Sequence, residues 1–580
     1  MIHHLLHTLW GQASSLFGIP LHRRRWMDLF VIAAFTGLVM GFVLVARQWT
    51  GVQHPLVEID LSPTALPKYA LLSLVRASVA LGISLSFSLS VAYWAAKDPL
   101  AEKVLIPILD ILQSVPLLAF LPVVLLAMVR LFPHSNMGLE LSAVLLIVTC
   151  QAWNLAFSFY QRLKTLPSGL DEAATAYGLS RIQRLRWLEI PFATPDLVWN
   201  AMVSVANGWF FLMASEAFNL GRDKDFRLPG LGAYMSSATE RGDLLAQIYA
   251  ILAMLVVVIV LDQLLWKPIV AWSQRFLIDE SGSVERPRSW LLRILRRSEL
   301  VVRIRLSLAR LRPKPKPRLE SAAVPHRDTT RLDRWMGTGI LVACLFLMAL
   351  VAFKLFEILA QVHRQEWLML LGAGGSSLGR VLLSTTLATC WTLPVGLWIG
   401  LSPIWSKRLQ SVVQIVASFP ASLFFLPLTL WFLNRGVSLN VSAILLMAVS
   451  TQWYLLFNII AGAQAIPASL RETAVAYDMG WWRTLWRLHF PAIFPQLIVG
   501  WVTAAGGAWN ASIICEFVKA RGTNLTTTGL GAIVTRSADQ NNIPLLAAAA
   551  LLMAGLVVLF NRLVWDPLLR LAENRYNISR

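Results

Sequence analysis

Apolar runs of about 20 residues alternate with short polar stretches along the whole of this 580-residue chain. They lie near 27–46, 70–96, 104–132, 139–161, 195–218 and 244–266. A second set follows near 336–360, 378–401, 409–433, 438–463, 491–517 and 543–565. A helix of that length crosses a hydrocarbon core of roughly 30 Å and satisfies its own backbone N–H and C=O groups. The pattern predicts an all-α polytopic membrane protein of about 12 transmembrane helices, arranged as two six-helix repeats. Its boundaries are a cytoplasmic N-terminal segment (1–26), a first membrane domain (27–275), a basic linker (276–334) and a second membrane domain (335–580).

Two polar islands interrupt the apolar pattern at the same place in each half. PSGLDEAATAYGLSRIQRLRWLEIPFATP runs from Pro167 to Pro195, and PASLRETAVAYDMGWWRTLWRLHFPAIFP from Pro467 to Pro495. Each has a proline at both ends and an acid five residues after the first. A segment held in register between otherwise exchangeable Leu, Val and Ala reads as a contact surface. Ser168 with Asp171 and Ser469 with Glu472 predict capping boxes opening a short helix. That helix carries Leu170, Ala173, Ala174 and Tyr177, or Leu470, Ala474 and Tyr477, on a narrow face that permits close approach. Pro191 and Pro491 are expected at the start of the following membrane helix, where proline is tolerated.

The duplication extends further. SVPLLAFLP (114–122) corresponds to SFPASLFFLP (418–427), Arg76 to Arg380, Trp209 and Glu216 to Trp509 and Glu516, and GLGA at 230–233 to GLGA at 529–532. Two such repeats joined by a long linker predict a pseudo-twofold axis along the membrane normal, with a pathway between the halves.

Composition agrees with the pattern: 56% hydrophobic, 14% charged and a mean hydropathy of +0.60. A soluble chain could not cover so much apolar surface with so few charges. The net charge of +19 is largely local, because twelve basic residues and one acid lie between Arg286 and Arg318. A basic amphipathic stretch there is expected on the anionic inner leaflet. It has no aromatic stacking platform or base-reading motif, so nucleic acid is not a partner. Arg23, Arg24 and Arg25 precede the first run, which reads as a retained anchor. The positive-inside rule then puts both termini and both polar islands in the cytoplasm. Cys150, Cys344, Cys390 and Cys515 stand singly in apolar segments and suggest neither a disulfide framework nor a metal site. The pairs Gly37/Gly41 and Gly396/Gly400 fit helix packing.

The first island resembles the EAA loop of ABC importer permeases: EAA, three residues, Gly, nine residues, then a hydrophobic-x-hydrophobic-Pro ending. Glu172, Ala173, Ala174, Gly178 and Pro191 match, with Leu188 and Ile190 as conservative replacements. In the second, Glu472, Ala474 and Pro491 match, Thr473 replaces Ala, and Asp478 replaces Gly, with Gly480 two residues on. The Trp and Glu of the fifth helix, the G-L-G segment and the closing WDPLLRLAENRY are similar to the nitrate/sulfonate/taurine branch. The resemblance covers nearly the whole chain, as two fused permease domains with the type I importer fold.

That resemblance implies a permease in the bacterial inner membrane that is not itself catalytic. Two ABC ATPase subunits would bind the ATP and Mg, and an extracytoplasmic solute-binding protein would deliver the substrate. The chain has no GxxxxGK[ST]; GAGGSSLGR at 372–380 lacks the residues that hold phosphate and Mg. The resemblance places ATPase coupling on Glu172, Ala173, Ala174, Tyr177 and Gly178, and on Glu472, Thr473, Ala474, Tyr477 and Gly480.

Trp209, Glu216, Trp509, Glu516, Arg76 and Arg380 are candidates for a substrate pathway or external gate. Two glutamates in a pore would repel anions. An alternative role is therefore to brace the GLGA segments or to pair with the two arginines. The runner-up to an ABC permease is a major-facilitator-type secondary transporter, which also has six plus six helices. Its marked loop lies between helices two and three, where this chain has only AAKDPLAEK (95–103).

Overall fold

The computed structural model describes residues 58–133, 135–217, 228–276, 331–520 and 523–575, with isolated positions 49, 291 and 307. The expected N-terminal segment 1–26, the first apolar run at 27–46 and nearly all of the basic stretch 286–318 lie outside these residues.

The first repeat contributes α1 (Leu66–Lys97), α2 (Pro99–Ser114), α3 (Leu121–Leu131), α4 (Met137–Lys164) and α5 (Ser168–Ala176). It continues with α6 (Arg181–Ala217), α7 (Leu231–Glu240) and α8 (Leu244–Phe276). The second contributes α9 (Arg331–Leu359), α10 (Arg364–Leu401), α11 (Pro403–Ala417), α12 (Ser422–Asn434), α13 (Leu439–Gln464) and α14 (Ala468–Ala476). Then come α15 (Trp481–Cys515), a two-stranded antiparallel hairpin, α16 (Leu530–Asp539) and α17 (Ile543–Ala572). The hairpin joins β1 (Phe517–Ala520) to β2 (Thr523–Thr526), with Phe517 opposite Thr526. Among the described residues the chain is otherwise helical.

Eight of the described helices are long and apolar enough to cross a membrane, or nine if α2 and α3 form one span bent by 86°. The expected count of about twelve is thus not confirmed among the described residues, outside which the first run lies. The third run of each half breaks, at Val115–Pro116 and again at Phe419–Pro420. Proline disfavours helical backbone in the residue before it and has no N–H to donate. The two breaks are braced reciprocally. The Leu118 N–H donates to Asn510 Oδ1 in the second half (3.2 Å), and the Ser422 hydroxyl donates to the Phe210 carbonyl in the first (3.2 Å).

Four π-helical turns occur among the described residues: Leu185–Glu189, Asp262–Trp266, Leu485–His489 and Asn561–Trp565. Each ends two residues before a proline: Pro191, Pro268, Pro491 and Pro567. A proline ring inside a helix clashes with the carbonyl four residues back, and a π turn at that position gives it room. Pro191 and Pro491 thus stand, as expected, at the start of the α-helical stretches Ile190–Ala217 and Phe490–Cys515, which the π turns join to the earlier parts of α6 and α15.

Two compact units are distinguished. One comprises, of the described residues, 161–202, 259–276 and the isolated positions 49, 291 and 307; the other contains the rest, including the whole second repeat. The core of the larger unit draws on both halves, with Leu118, Leu121 and Phe211 joining Phe425, Met447 and Trp509. Phe210 meets Phe425 edge to face, with ring centroids 5.9 Å apart.

Candidate functional site

The two polar islands share one backbone design. Pro167 and Pro467 are the N-caps of α5 and α14, and neither helix start has a side-chain cap bond. The expected capping boxes do not form. Ser168 is already the first helical residue and Ser469 the second, so their hydroxyls are out of phase with the orphan N–H groups. A capping box occurs instead at the next helix, between Ser180 and Gln183. Both short helices end alike. Leu179 N–H donates to the Ala174 carbonyl (3.1 Å), and Met479 N–H to that of Ala474 (3.0 Å). The intervening residue is left-handed in each: Gly178 at φ 63° and Asp478 at φ 43°. This closure satisfies carbonyls at the helix end, and aspartate is among the few side chains that tolerate it. Gly480 does not take over the turn; at φ −56° it is the N-cap of the segment that follows.

Ala174 and Ala474 are the buried members of each face. Glu172, Ala173, Gly178, Glu472, Thr473 and Gly480 are exposed, and Tyr177 and Tyr477 are 84% and 79% exposed. The small-residue face is thus divided: Ala174 and Ala474 hold the helix down, while the acid, the tyrosine and Ala173 or Thr473 point outward. Ile182 and Trp187, and Val475, Trp481 and Trp482, add exposed apolar area that sequence reasoning missed. Large apolar side chains beside arginines, in an otherwise polar stretch, were the available signal.

Side chains distinguish the two islands. Arg184 bonds Asp171 and donates from Nε to Glu189 Oε1 at 3.1 Å, with the Glu189 side chain fully buried. The matching positions are Arg471, Thr484 and His489, so the acid–arginine–acid set is replaced as a group. Thr484 instead donates its hydroxyl to the Met479 carbonyl (3.0 Å).

Arg76 and Arg380 each organise a buried cluster. Arg76 is fully buried and bonds Glu140 through Nε (2.5 Å) and Nη2 (2.7 Å), and Glu216 Oε1 through Nη1 (2.7 Å). Glu216 Oε1 also accepts from the Ser73 hydroxyl (2.7 Å), and Oε2 from the Gly232 N–H (2.9 Å). In the second half Arg380 bonds Glu516 Oε1 (2.8 Å), Asn440 Oδ1 (2.7 Å) and the Thr528 carbonyl (2.7 Å). Glu516 accepts from the Ser377 hydroxyl (2.7 Å) and the Gly531 N–H (2.9 Å).

Each glutamate therefore sits at the N-terminus of a short helix, α7 or α16, where free N–H groups and the helix dipole favour an anion. This geometry explains the glycines of GLGA. A Cβ at Gly230 or Gly529 would run into the glutamate carboxylate, and one at Gly232 or Gly531 would lie 2.5 or 2.6 Å from a carbonyl oxygen. Glu140 and Asn440 were missed by the sequence reading. Glu140 is the lone acid in the run 139–161 and recurs 300 residues later as an amide. Trp209 and Trp509 are buried, 3% and 2% exposed.

A cavity of about 170 Å³ lies between elements of the two halves within the larger unit, lined by parts of α3, α6, α7, α12, α15, β1 and α16. None of Arg76, Trp209, Glu216, Arg380, Trp509 and Glu516 lines it. Among the described residues no group of three His, Cys, Asp or Glu side chains could hold a metal ion.

The sequence model of the family described as "Binding-protein-dependent transport system inner membrane component" matches twice, at residues 85–265 and 392–566. The chain is 28% identical over 146 residues to a nitrate import permease protein of Synechococcus elongatus, covering 25% of this chain and 51% of that protein. It is 27% identical over 165 residues to a taurine transport system permease protein of Escherichia coli, covering 28% and 57%. A glycine betaine transport system permease protein of Bacillus subtilis is 24% identical over 239 residues, covering 41% and 73%. The chain spans little more than half the length of the first two of these relatives.

Proposed function

This chain belongs to the family of binding-protein-dependent transport system inner membrane components, and on that premise we propose that it is the permease subunit of an ATP-driven ABC importer. Its two repeats would enclose the translocation pathway as two permease domains in one polypeptide, 27–275 and 335–580, in the inner membrane with both termini cytoplasmic. The chain would not be an enzyme. ATP and Mg would be bound by two ATPase subunits on other chains, and an extracytoplasmic binding protein would supply the solute. The basic linker at 286–318 would rest on anionic inner-leaflet lipid.

The observation that carries this reading is the pair of islands. Two short helices at equivalent positions have the same left-handed closure and present an acid and a tyrosine outward. An exposed apolar and charged surface repeated at one register suits a partner that docks twice. Glu172, Ala173, Tyr177 and Gly178, with Glu472, Thr473, Tyr477 and Gly480, would meet the two ATPases, and Ala174 and Ala474 would hold each helix in place. Closure of the ATPase pair would then move the helices as rigid bodies and switch the pathway between its two states. The buried Arg76–Glu216 and Arg380–Glu516 clusters fit a bracing role at α7 and α16 better than contact with solute, since their carboxylates are occupied by arginine, serine and backbone N–H partners. No observation favours the major-facilitator reading.

The test is capture of the ATPase subunits by the tagged chain from its native membrane. Glu172→Arg with Glu472→Arg should abolish co-purification while leaving the chain folded and membrane-inserted. Normal capture by that double variant would overturn the docking assignment.

A further inference from the structure

Three hydrogen bonds cross the seam between the halves within the larger unit. Ser422 donates to the Phe210 carbonyl, and the Leu118 N–H to Asn510 Oδ1. One turn along, the Tyr454 hydroxyl donates to Asn207 Oδ1 at 2.8 Å. From this geometry we propose that Tyr454 is a gate residue of the translocation pathway. Its ring stands between the halves, and its hydroxyl is latched to Asn207 when the pathway is shut. The role rests on the permease reading of the chain and names the residues that hold one of its two states.

Position along the helices supplies the first support. Asn207 and Phe210 are three residues apart on α6, and Gly507 and Asn510 three apart on α15, so each pair shares one face. Met213, Ala214, Ile513 and Ile514, on the next turn of those helices, line the cavity between the halves. The Asn207–Tyr454 bond therefore lies on the island side of that cavity. A solute leaving the cavity toward the islands must pass it.

The repeat supplies the second. Tyr454 corresponds to Asn154, and Asn207 to Gly507, 300 residues apart in each case. Asn154 donates to Ser204 of its own half (2.9 Å), and the longer tyrosine reaches the opposite half. A Cβ at Gly507 would lie 3.0 Å from the Tyr454 ring and 3.1 Å from the Thr451 methyl, so the missing side chain lets the ring lie against α15. A bulky ring, the glycine that makes room for it and an acceptor on the other half thus occur together. Packing alone requires the ring but not the hydroxyl, since phenylalanine fills the same space. The strength of the bond also suits a gate. One neutral hydrogen bond shifts an equilibrium by roughly fivefold, which a partner exerting a coupling of roughly 5–150-fold can reverse.

The full chain in lipid nanodiscs carries its own reporters: Cys150 lies near Tyr454, Cys515 is buried and Cys390 is exposed. Modification by N-ethylmaleimide is followed thiol by thiol by peptide mass spectrometry. It should quicken about fivefold at Cys150 in Tyr454→Phe and in Asn207→Leu, which keeps the shape of the side chain and removes the acceptor. Cys515 and Cys390 should keep their rates, because general loosening would free Cys515 as well. The double variant should be no faster than the quicker single, since both substitutions remove the same bond. In the complex with captured ATPase subunits, ATP hydrolysis without binding protein should rise by a similar factor. An unchanged Cys150 rate in Tyr454→Phe would overturn the latch, and that variant decides alone if Asn207→Leu does not fold. Factors that multiply in the double variant would overturn it too. Faster labelling with unchanged hydrolysis would reduce the bond to a packing contact and overturn the gate. Failure to capture any ATPase would remove the permease reading and the gate with it, while the thiol rates would still decide the bond.

Discussion

The two halves solve the same structural problem with different side chains, most plainly at their buried arginines. Arg76 lies between two carboxylates, Glu140 and Glu216, whereas Arg380 faces one, Glu516, with Asn440 Oδ1 accepting where Glu140 does in the first half; each guanidinium also donates to a backbone carbonyl, that of Pro229 or Thr528. The glutamate that caps the short helix is common to both, and so are the serine and glycine that bond it. What varies is the outer partner of the guanidinium. The islands repeat this division. Backbone closure is shared down to the left-handed residue, while the Asp171–Arg184–Glu189 set gives way to Arg471, Thr484 and His489. In each place the part that shapes the backbone is retained and the part that neutralises charge is replaced as a group.

The comparison is broken most severely at the arginines. Arg76→Leu leaves two buried carboxylates without their cation and is expected to cost about 5 kcal/mol; Arg380→Leu leaves one and should cost about 3 kcal/mol. Unfolding of the purified chain in detergent measures both. Equal losses would mean that Glu140 adds nothing that Asn440 lacks.

A smaller effect is expected in the first island. Arg184→Thr copies the second half's residue without its companions and removes the guanidinium that joins Asp171 to the buried Glu189. Hydrogen exchange across 167–190 should accelerate about tenfold, equivalent to about 1.4 kcal/mol of local stability. Unchanged exchange would show that the shared backbone closure alone holds α5. The smallest effect belongs to the left-handed turn. Asp478→Gly should stabilise the second island by up to about 1 kcal/mol, because glycine has no steric cost there. Loss of stability would instead show that the Asp478 carboxylate makes a compensating contact.

Much of this was legible without coordinates. Helices α1, α4, α6 and α8, with α10, α13, α15 and α17, fall where the apolar runs predicted, because crossing a bilayer is a requirement of local hydrophobicity and length. The 300-residue repeat and the two islands were visible for a similar reason: polar residues are expensive inside an apolar chain, and their positions stand out. Other features needed the third dimension. Ser168 and Ser469 matched a capping spacing, yet the helix begins at the prolines before them, and backbone phase decides which N–H is orphaned. SVP and SFP were seen as matching strings; that they break a span, and are braced by Asn510 and Phe210 of the opposite half, depends on partners hundreds of residues away.

By itself, then, the sequence determined the membrane-spanning helical class, the twofold repeat and the location of the paired islands, all set by local polarity and spacing. Only the tertiary structure decided that Glu216 and Glu516 cap α7 and α16, that Glu140 and Asn440 complete the arginine clusters, and that an apolar cavity lies between the halves. A buried charge is stabilised by whatever the fold brings within about 3 Å of it, and sequence distance carries no record of that.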